Sequence, residues 1–207
     1  MITLDRNEVE RILSYFHLIT GFRVAVVDLN FREVAACPAD LCEFCTELRK
    51  NPEADSICRD CDRRAYDRAH KERGLYLYPC DFGLYEAVSP LYDNNKVVGY
   101  MMVGQMLSSK SGSKELVMWK SGNYWTSLKD RRELLERMPV IDYKNIKASA
   151  TLMNICASYL TLTGRILAKN QSEEQKMLDY VTEHFRENFS DREICSMFNL
   201  SRTSYFN

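Results

Sequence analysis

Residues Leu75 to Leu107 read LYLYPCDFGLYEAVSPLYDNNKVVGYMMVGQML. Three runs rich in aromatic and β-branched residues, LYLYPC, LYEAVSPLY and KVVGYMMVGQML, are separated by Asp81-Phe82-Gly83 and then by Asp93-Asn94-Asn95. Runs of this kind bounded by Gly, Asn and Asp are strands, and the Asp-Asn-Asn segment has the composition of a hairpin turn. Upstream, RVAVVDLN and FREVAA form two more strands around a tight turn. Before them, Asp5 caps a helix whose apolar Val9, Ile12, Leu13, Phe16 and Ile19 recur at helical spacing up to Gly21. Two helical segments separate the second strand from the third: CEFCTELRKN, and PEADSICRDCDRRAYDRAHKERG, entered through Pro52 and ended at Gly74. The expected architecture is α+β, an antiparallel sheet of about five strands with helices inserted after the second.

The totals narrow the function classes. The chain has 207 residues, is 45% hydrophobic and 28% charged, and carries 28 Lys+Arg against 29 Asp+Glu, which suits a globular sensor-sized domain with a smaller piece beside it. A net charge of -1 gives no overall polyanion-binding surface, so DNA binding has to rest on a motif. The first residues, MITLDRNEVERILSYF, lack the apolar core of a secretory signal, and ASATLMNICASYLTLTG is too short and too polar for a membrane span. The expected location is cytoplasmic, with no membrane partner. Eight cysteines in a reducing compartment then point to thiolate ligands, reactive thiols or buried small residues rather than disulfides.

From Tyr143 to about Asn170 the pattern predicts one long linker helix. Ile146, Met153, Leu160 and Leu167 recur every seven residues, with small Ala150, Ala157 and Gly164 between them, and Leu152, Ile155, Tyr159, Leu162 and Ile166 form a second apolar stripe. One stripe is expected to cover the sheet and the other to meet the same helix of a second subunit, making a homodimer. A single wide buried face in a monomer is the alternative.

The cysteines are the most chemical feature. Two C-x-x-C pairs, Cys42/Cys45 and Cys58/Cys61, are followed by Cys80. Cys45, Cys58, Cys61 and Cys80 would supply four soft ligands for zinc or an iron-sulfur cluster, with Cys42 an alternative. A redox pair within either C-x-x-C, or plain reduced thiols in a core, are the other readings. No G-x-G-x-x-G or P-loop spacing occurs, and His17, His70 and His184 fall in no catalytic arrangement, so the chain is not expected to be an enzyme.

Two resemblances sharpen this. FCTELR, CRDCDRRA, YPCDFGLYEAVSPL and VVGYMMVGQML are similar, in order and spacing, to the PocR sensory domain, over roughly residues 3–166. The resemblance implies a PAS-like fold that senses small hydrocarbon derivatives such as diols, and it matches the family's cysteines to Cys45, Cys58 and Cys80, with Cys61 less regular. Where many members carry His after the third cysteine, this chain has Asp81. In a PAS-like cavity between sheet and inserted helices, Tyr78, Tyr85, Glu86 and Gln105 are the candidates for binding a small organic effector.

From residue 171 the chain resembles the opening half of an AraC-type helix-turn-helix domain: DYVTEHFRENFSDREICSMFNLSRTSYFN carries its Leu-Ser and Ser-Arg-Thr-Ser positions, with Cys195 in place of a usual Ala. The resemblance implies DNA contacts from Arg202, Thr203 and Asn207, a helix cap at Ser201, and packing or phosphate contact from Tyr205. The sequence ends within the first recognition helix, before a second such unit, and four basic against seven acidic residues from Gln171 onward make this piece a poor DNA binder alone.

Overall fold

A computed structural model describes residues 2–168. In chain order these form β1 (Ile2–Leu4), α1 (Arg6–Thr20), β2 (Arg23–Asp28), β3 (Glu33–Cys37), α2 (Glu43–Leu48), α3 (Pro52–Glu72), β4 (Tyr76–Pro79), β5 (Tyr85–Asp93), β6 (Lys96–Ser108), α4 (Ser113–Lys120), a 3-10 turn (Gly122–Tyr124), α5 (Leu128–Arg137), β7 (Val140–Ile141), α6 (Tyr143–Leu162) and β8 (Ile166–Ala168). The main sheet runs β3-β2-β6-β5-β4, antiparallel throughout, and short β7 adds in parallel to the end of β6. The expected antiparallel α+β sheet with helices inserted after its second strand is what the chain forms.

Local chemistry explains the boundaries. The Asp5 carboxylate accepts from the Glu8 amide at the start of α1, and Gly21 ends the helix at a φ of 74°. Asn51 accepts from the Glu53 and Ala54 amides, with Pro52 in the first turn of α3. Asn94 and Asn95 both take positive φ in the β5–β6 turn, the conformation that two-residue hairpins need and that Asn tolerates.

The sheet has two unlike faces. Along β5, Ala87 and Leu91 face one way and Glu86 and Val88 the other, as strand alternation requires. On the first face α1 and α6 press Val9, Leu13, Phe16, Ile146, Met153 and Leu160 onto Val24, Val26, Met101 and Val103, all almost wholly buried. Ala150 and Ala157 keep the α6 surface low enough to lie on the strands. On the second face α3 packs Cys61, Ala65, Tyr66 and Ala69 near Val27, Val88 and Tyr100. Beyond one end of the sheet, α2, α4 and α5 close a third apolar cluster around Phe44, Leu84, Leu107, Val117 and Leu135.

The long linker helix is corrected. α6 stops at Leu162, the Gly164 amide bonds to the Thr161 carbonyl, and Gly164 sits at a φ of 65°. The next residues form β8, which pairs antiparallel with β1, a strand the sequence pattern did not reveal. Gly164 is thus a helix terminator and not a small residue in a helical seam, and Leu167 and Ile166 belong to a strand. The first stripe, Ile146, Met153 and Leu160, does cover the sheet. Of the second, Ile155, Tyr159 and Leu162 lie exposed, whereas Ile166 is buried in the core. Among the described residues, no helix is long and apolar enough to cross a membrane.

Candidate functional site: a polar cavity beside a cysteine cluster

On the α3 side of the sheet lies a cavity of about 190 Å³, floored by Ala25, Val27, Met102 and Gly104 and walled by Phe31, Arg49, Asp62, Tyr66, Glu86 and Gln105. Sheet irregularity builds it. Tyr85 pairs with Met106 and Glu86 with Gly104, so β6 carries one extra residue, Gln105, as a bulge beside the cavity. The Gln105 Oε1 accepts from the Cys42 amide at 2.8 Å and so ties β6 to the start of α2. Gly104 is required by close approach: a Cβ there would lie 2.7 Å from Glu86 Cγ.

Glu86 is buried, and the Tyr78 hydroxyl donates to its Oε2 at 3.0 Å. Burial, then the nearby Asp62 charge, pushes the Glu86 carboxyl up to about 8, so at neutral pH it carries a proton and can both donate and accept. Burial likewise raises Asp62 to about 6. Positive charge stands at the edges: Arg49 bonds Asp55 at 2.7 Å, and Arg23 bonds Glu33 at 2.7 Å and the Ala39 carbonyl at 2.8 Å. Phe31, at positive φ in the β2–β3 turn, stacks on Tyr66 with ring centroids 5.3 Å apart, and Tyr66 stacks on Tyr100.

Through Arg49, Asp62, Glu86 and Gln105 this cavity adjoins a small enclosed one of about 20 Å³, lined by Cys45, Cys58, Cys61 and Cys80. The fold thus brings together the four cysteines named as a ligand set, from α2, α3 and the loop after β4. As arranged, no three His, Cys, Asp or Glu groups among the described residues converge to hold a metal ion. Burial raises the Cys58 thiol to about 12 and Cys61 to about 11, and Cys80 is pushed well up by the same cause. Cys42 differs: the Cys45 thiol donates to it, aided by the Cys45 and Phe44 amides, which holds Cys42 below the ordinary thiol range and pushes Cys45 up. Asp81, standing where a His is common in the resembling family, is paired with Arg64 at 2.5 Å.

Of the four candidate effector residues, Glu86 and Gln105 line the polar cavity and Tyr78 holds Glu86. Tyr85 stands on the other face, against the α1–α6 core, with its ring 5.4 Å from that of Tyr143. Neighbouring strand residues point to opposite faces, so Tyr85 and Glu86 do not share a cavity. Sequence reading missed Arg23, Phe31, Arg49, Asp62 and Tyr66. For two of these a signal existed: Cys58, Asp62 and Tyr66 are spaced by four along α3 and form one helical row. Ser201, Arg202, Thr203, Tyr205 and Asn207 lie outside the described residues.

A small polar hollow between a sheet and the helices inserted in it is the arrangement of a small-molecule pocket, the feature a sensory module needs. The chain belongs to the PocR sensory-domain family: residues 3–165 match the family described as "Sensory domain found in PocR". It is also similar to "Regulatory protein PocR" of Salmonella typhimurium, 27% identical over 153 residues, which cover 73% of this chain and 50% of that protein. The chain spans about half the length of this relative.

Proposed function

We propose that the chain is the effector-sensing part of a cytoplasmic, one-component AraC-type transcription regulator, not an enzyme, and that the cavity on the α3 face takes a small hydroxylated organic effector such as a short diol. The observation that carries this is Glu86, held by Tyr78 in the wall of a cavity of about 190 Å³. A protonated carboxyl beside an amide side chain matches neutral hydroxyls, which both donate and accept, better than it matches an ion. The volume lies below the roughly 300–1,000 Å³ of drug-sized pockets, which fits a compact guest. The β3-β2-β6-β5-β4 order, with α2 and α3 between the second and third of these strands in sequence, supports a PAS-like description.

Occupancy would bias the position of α3 against the sheet, and the change would pass to the DNA-reading segment after residue 171 in a homodimer. The exposed Ile155, Tyr159 and Leu162 on α6, with Leu18 and Ile19 on α1, support a second copy as partner. Sedimentation of the purified chain as a monomer at high concentration would remove the dimer. For the effector, calorimetric titration with propane-1,2-diol is the test. Saturable binding that is lost in Glu86→Leu, with the variant still folded, is expected; equal binding by the variant would overturn the site.

A second reading has its own observation. Four cysteines line one 20 Å³ cavity, a donor set soft enough for zinc or an iron-sulfur cluster once their side chains are drawn together, with Cys42 as the alternative ligand or as the reactive half of a Cys42/Cys45 pair. The cluster itself would then receive a metal or redox signal. Metal analysis of protein purified without added zinc, compared with Cys58→Ser, separates the readings: stoichiometric metal lost in the variant supports a centre, and metal-free, stably folded protein overturns it.

A further inference from the structure

A different hollow, of about 600 Å³, lies between α3, α4, the 3-10 turn and α5 and shares only Asp81 and Phe82 with the cysteine cavity. Its notable lining residue is Arg131 on α5, only 9% exposed. Among the described residues, the buried guanidinium Nε and Nη1 have no hydrogen-bond partner, and no carboxylate forms an ion pair with Arg131. An arginine remains charged at any physiological pH, so a buried one without a counter-ion is costly unless something outside the chain compensates it. Room is also made for it: a Cβ on Gly122 would fall 3.1 Å from Nη1.

The rest of the hollow says what kind of counter-ion fits. Lys120 adds a second cation, while the carboxylate in the wall, Asp81, is engaged by Arg64 at 2.5 Å. Ile57, Phe82, Met118 and the largely exposed Trp119 supply apolar surface beside the charge. A doubly charged phosphate would face Asp81 and leave this apolar wall wet, whereas one carboxylate on a short hydrocarbon body satisfies both halves. We propose that the hollow at Arg131 is a second binding site, for a small monocarboxylate, with the carboxylate on Arg131 and Lys120 and the hydrocarbon against Phe82 and Trp119. It does not depend on the effector reading of the sheet-face cavity.

The chain has two tryptophans, Trp119 and Trp125, so in Trp125→Phe the emission reports Trp119 alone. That protein is titrated with butyrate, and with acetate, inorganic phosphate and chloride at matched ionic strength; calorimetry on the unaltered chain checks the affinities. Butyrate is expected to give a saturable change, tighter than acetate and phosphate, and Arg131→Gln to weaken it by about tenfold or more, as loss of a charge-assisted hydrogen bond does. Lys120→Gln is expected to weaken it by a smaller factor and serves as the deciding variant if Arg131→Gln does not fold. No saturable response to butyrate, or an affinity unchanged in the folded variant, overturns the site; phosphate binding as tightly as butyrate overturns the monocarboxylate assignment.

Discussion

The two faces of the sheet do different work. Against α1 and α6, the strands present Val24, Val26, Ala87, Leu91, Met101 and Val103 to residues such as Leu13, Phe16 and Met153, and the contact is apolar and solid. Against α3, the same strands present Glu86, Gly104 and the bulged Gln105 around a hollow with three carboxyls, Glu33, Asp62 and Glu86, and two guanidinium groups at its walls and edges. β2, β5 and β6 each contribute to both faces through alternation. Stability is concentrated on one side, which frees the other to keep polar groups and empty space, both of which cost folding energy.

The largest expected effect is on the solid face. Met153→Ala removes a fully buried side chain from this packed face, and should cost about 3 kcal/mol in urea unfolding. A cost below about 1 kcal/mol would show that face to be looser than its packing implies.

On the hollow face the prediction is one of pH. The Glu86 carboxyl stands near 8 folded against an ordinary value of 4.5, so the folded chain retains a proton that the unfolded chain has released between those limits. Stability should therefore fall as pH rises from about 4.5 to about 8 and level off above, by up to a few kcal/mol. In Glu86→Gln the slope of melting temperature against pH should flatten, and the variant should be the more stable protein at pH 8. An unchanged slope would place the titrating group elsewhere.

Smaller again, Gly104→Ala should cost about 1–3 kcal/mol by pressing a methyl group on Glu86, and should weaken effector binding more than it weakens the fold. The smallest change concerns the rim of the solid face. Tyr159→Phe removes an exposed hydrogen bond of 3.1 Å to Glu8 and should shift unfolding by less than about 0.5 kcal/mol. A larger loss in a concentration-dependent assay would reveal Tyr159 at a subunit contact.

The readable parts of the sequence were those with local causes. Asp5, Gly21, Pro52 and the two asparagines of the hairpin act on backbone within a few residues of themselves, and each stands where its chemistry implies. The linker helix misled because a heptad pattern describes which side chains share a face only while the chain stays helical. Gly164 broke that condition, and the same terminator role that Gly21 plays was there to be read. Tyr85 and Glu86 are both polar residues of one strand of the expected cavity wall, but alternation along β5 separates them. Arg23 and Phe31 reach the cavity from the first hairpin, and nothing local marks them for it.

The sequence by itself determined the five strands of the main sheet, the ends of α1 and α3 and which thiols were available, because propensity, turns and spacing act over a few residues. Only the tertiary structure decided that Cys80 lines one cavity with Cys45, Cys58 and Cys61, that Glu86 loses its water and keeps its proton, and that Arg131 is buried without a counter-ion among the described residues. Those properties depend on what the rest of the chain excludes from around each group, and exclusion of solvent exists only once distant segments have packed.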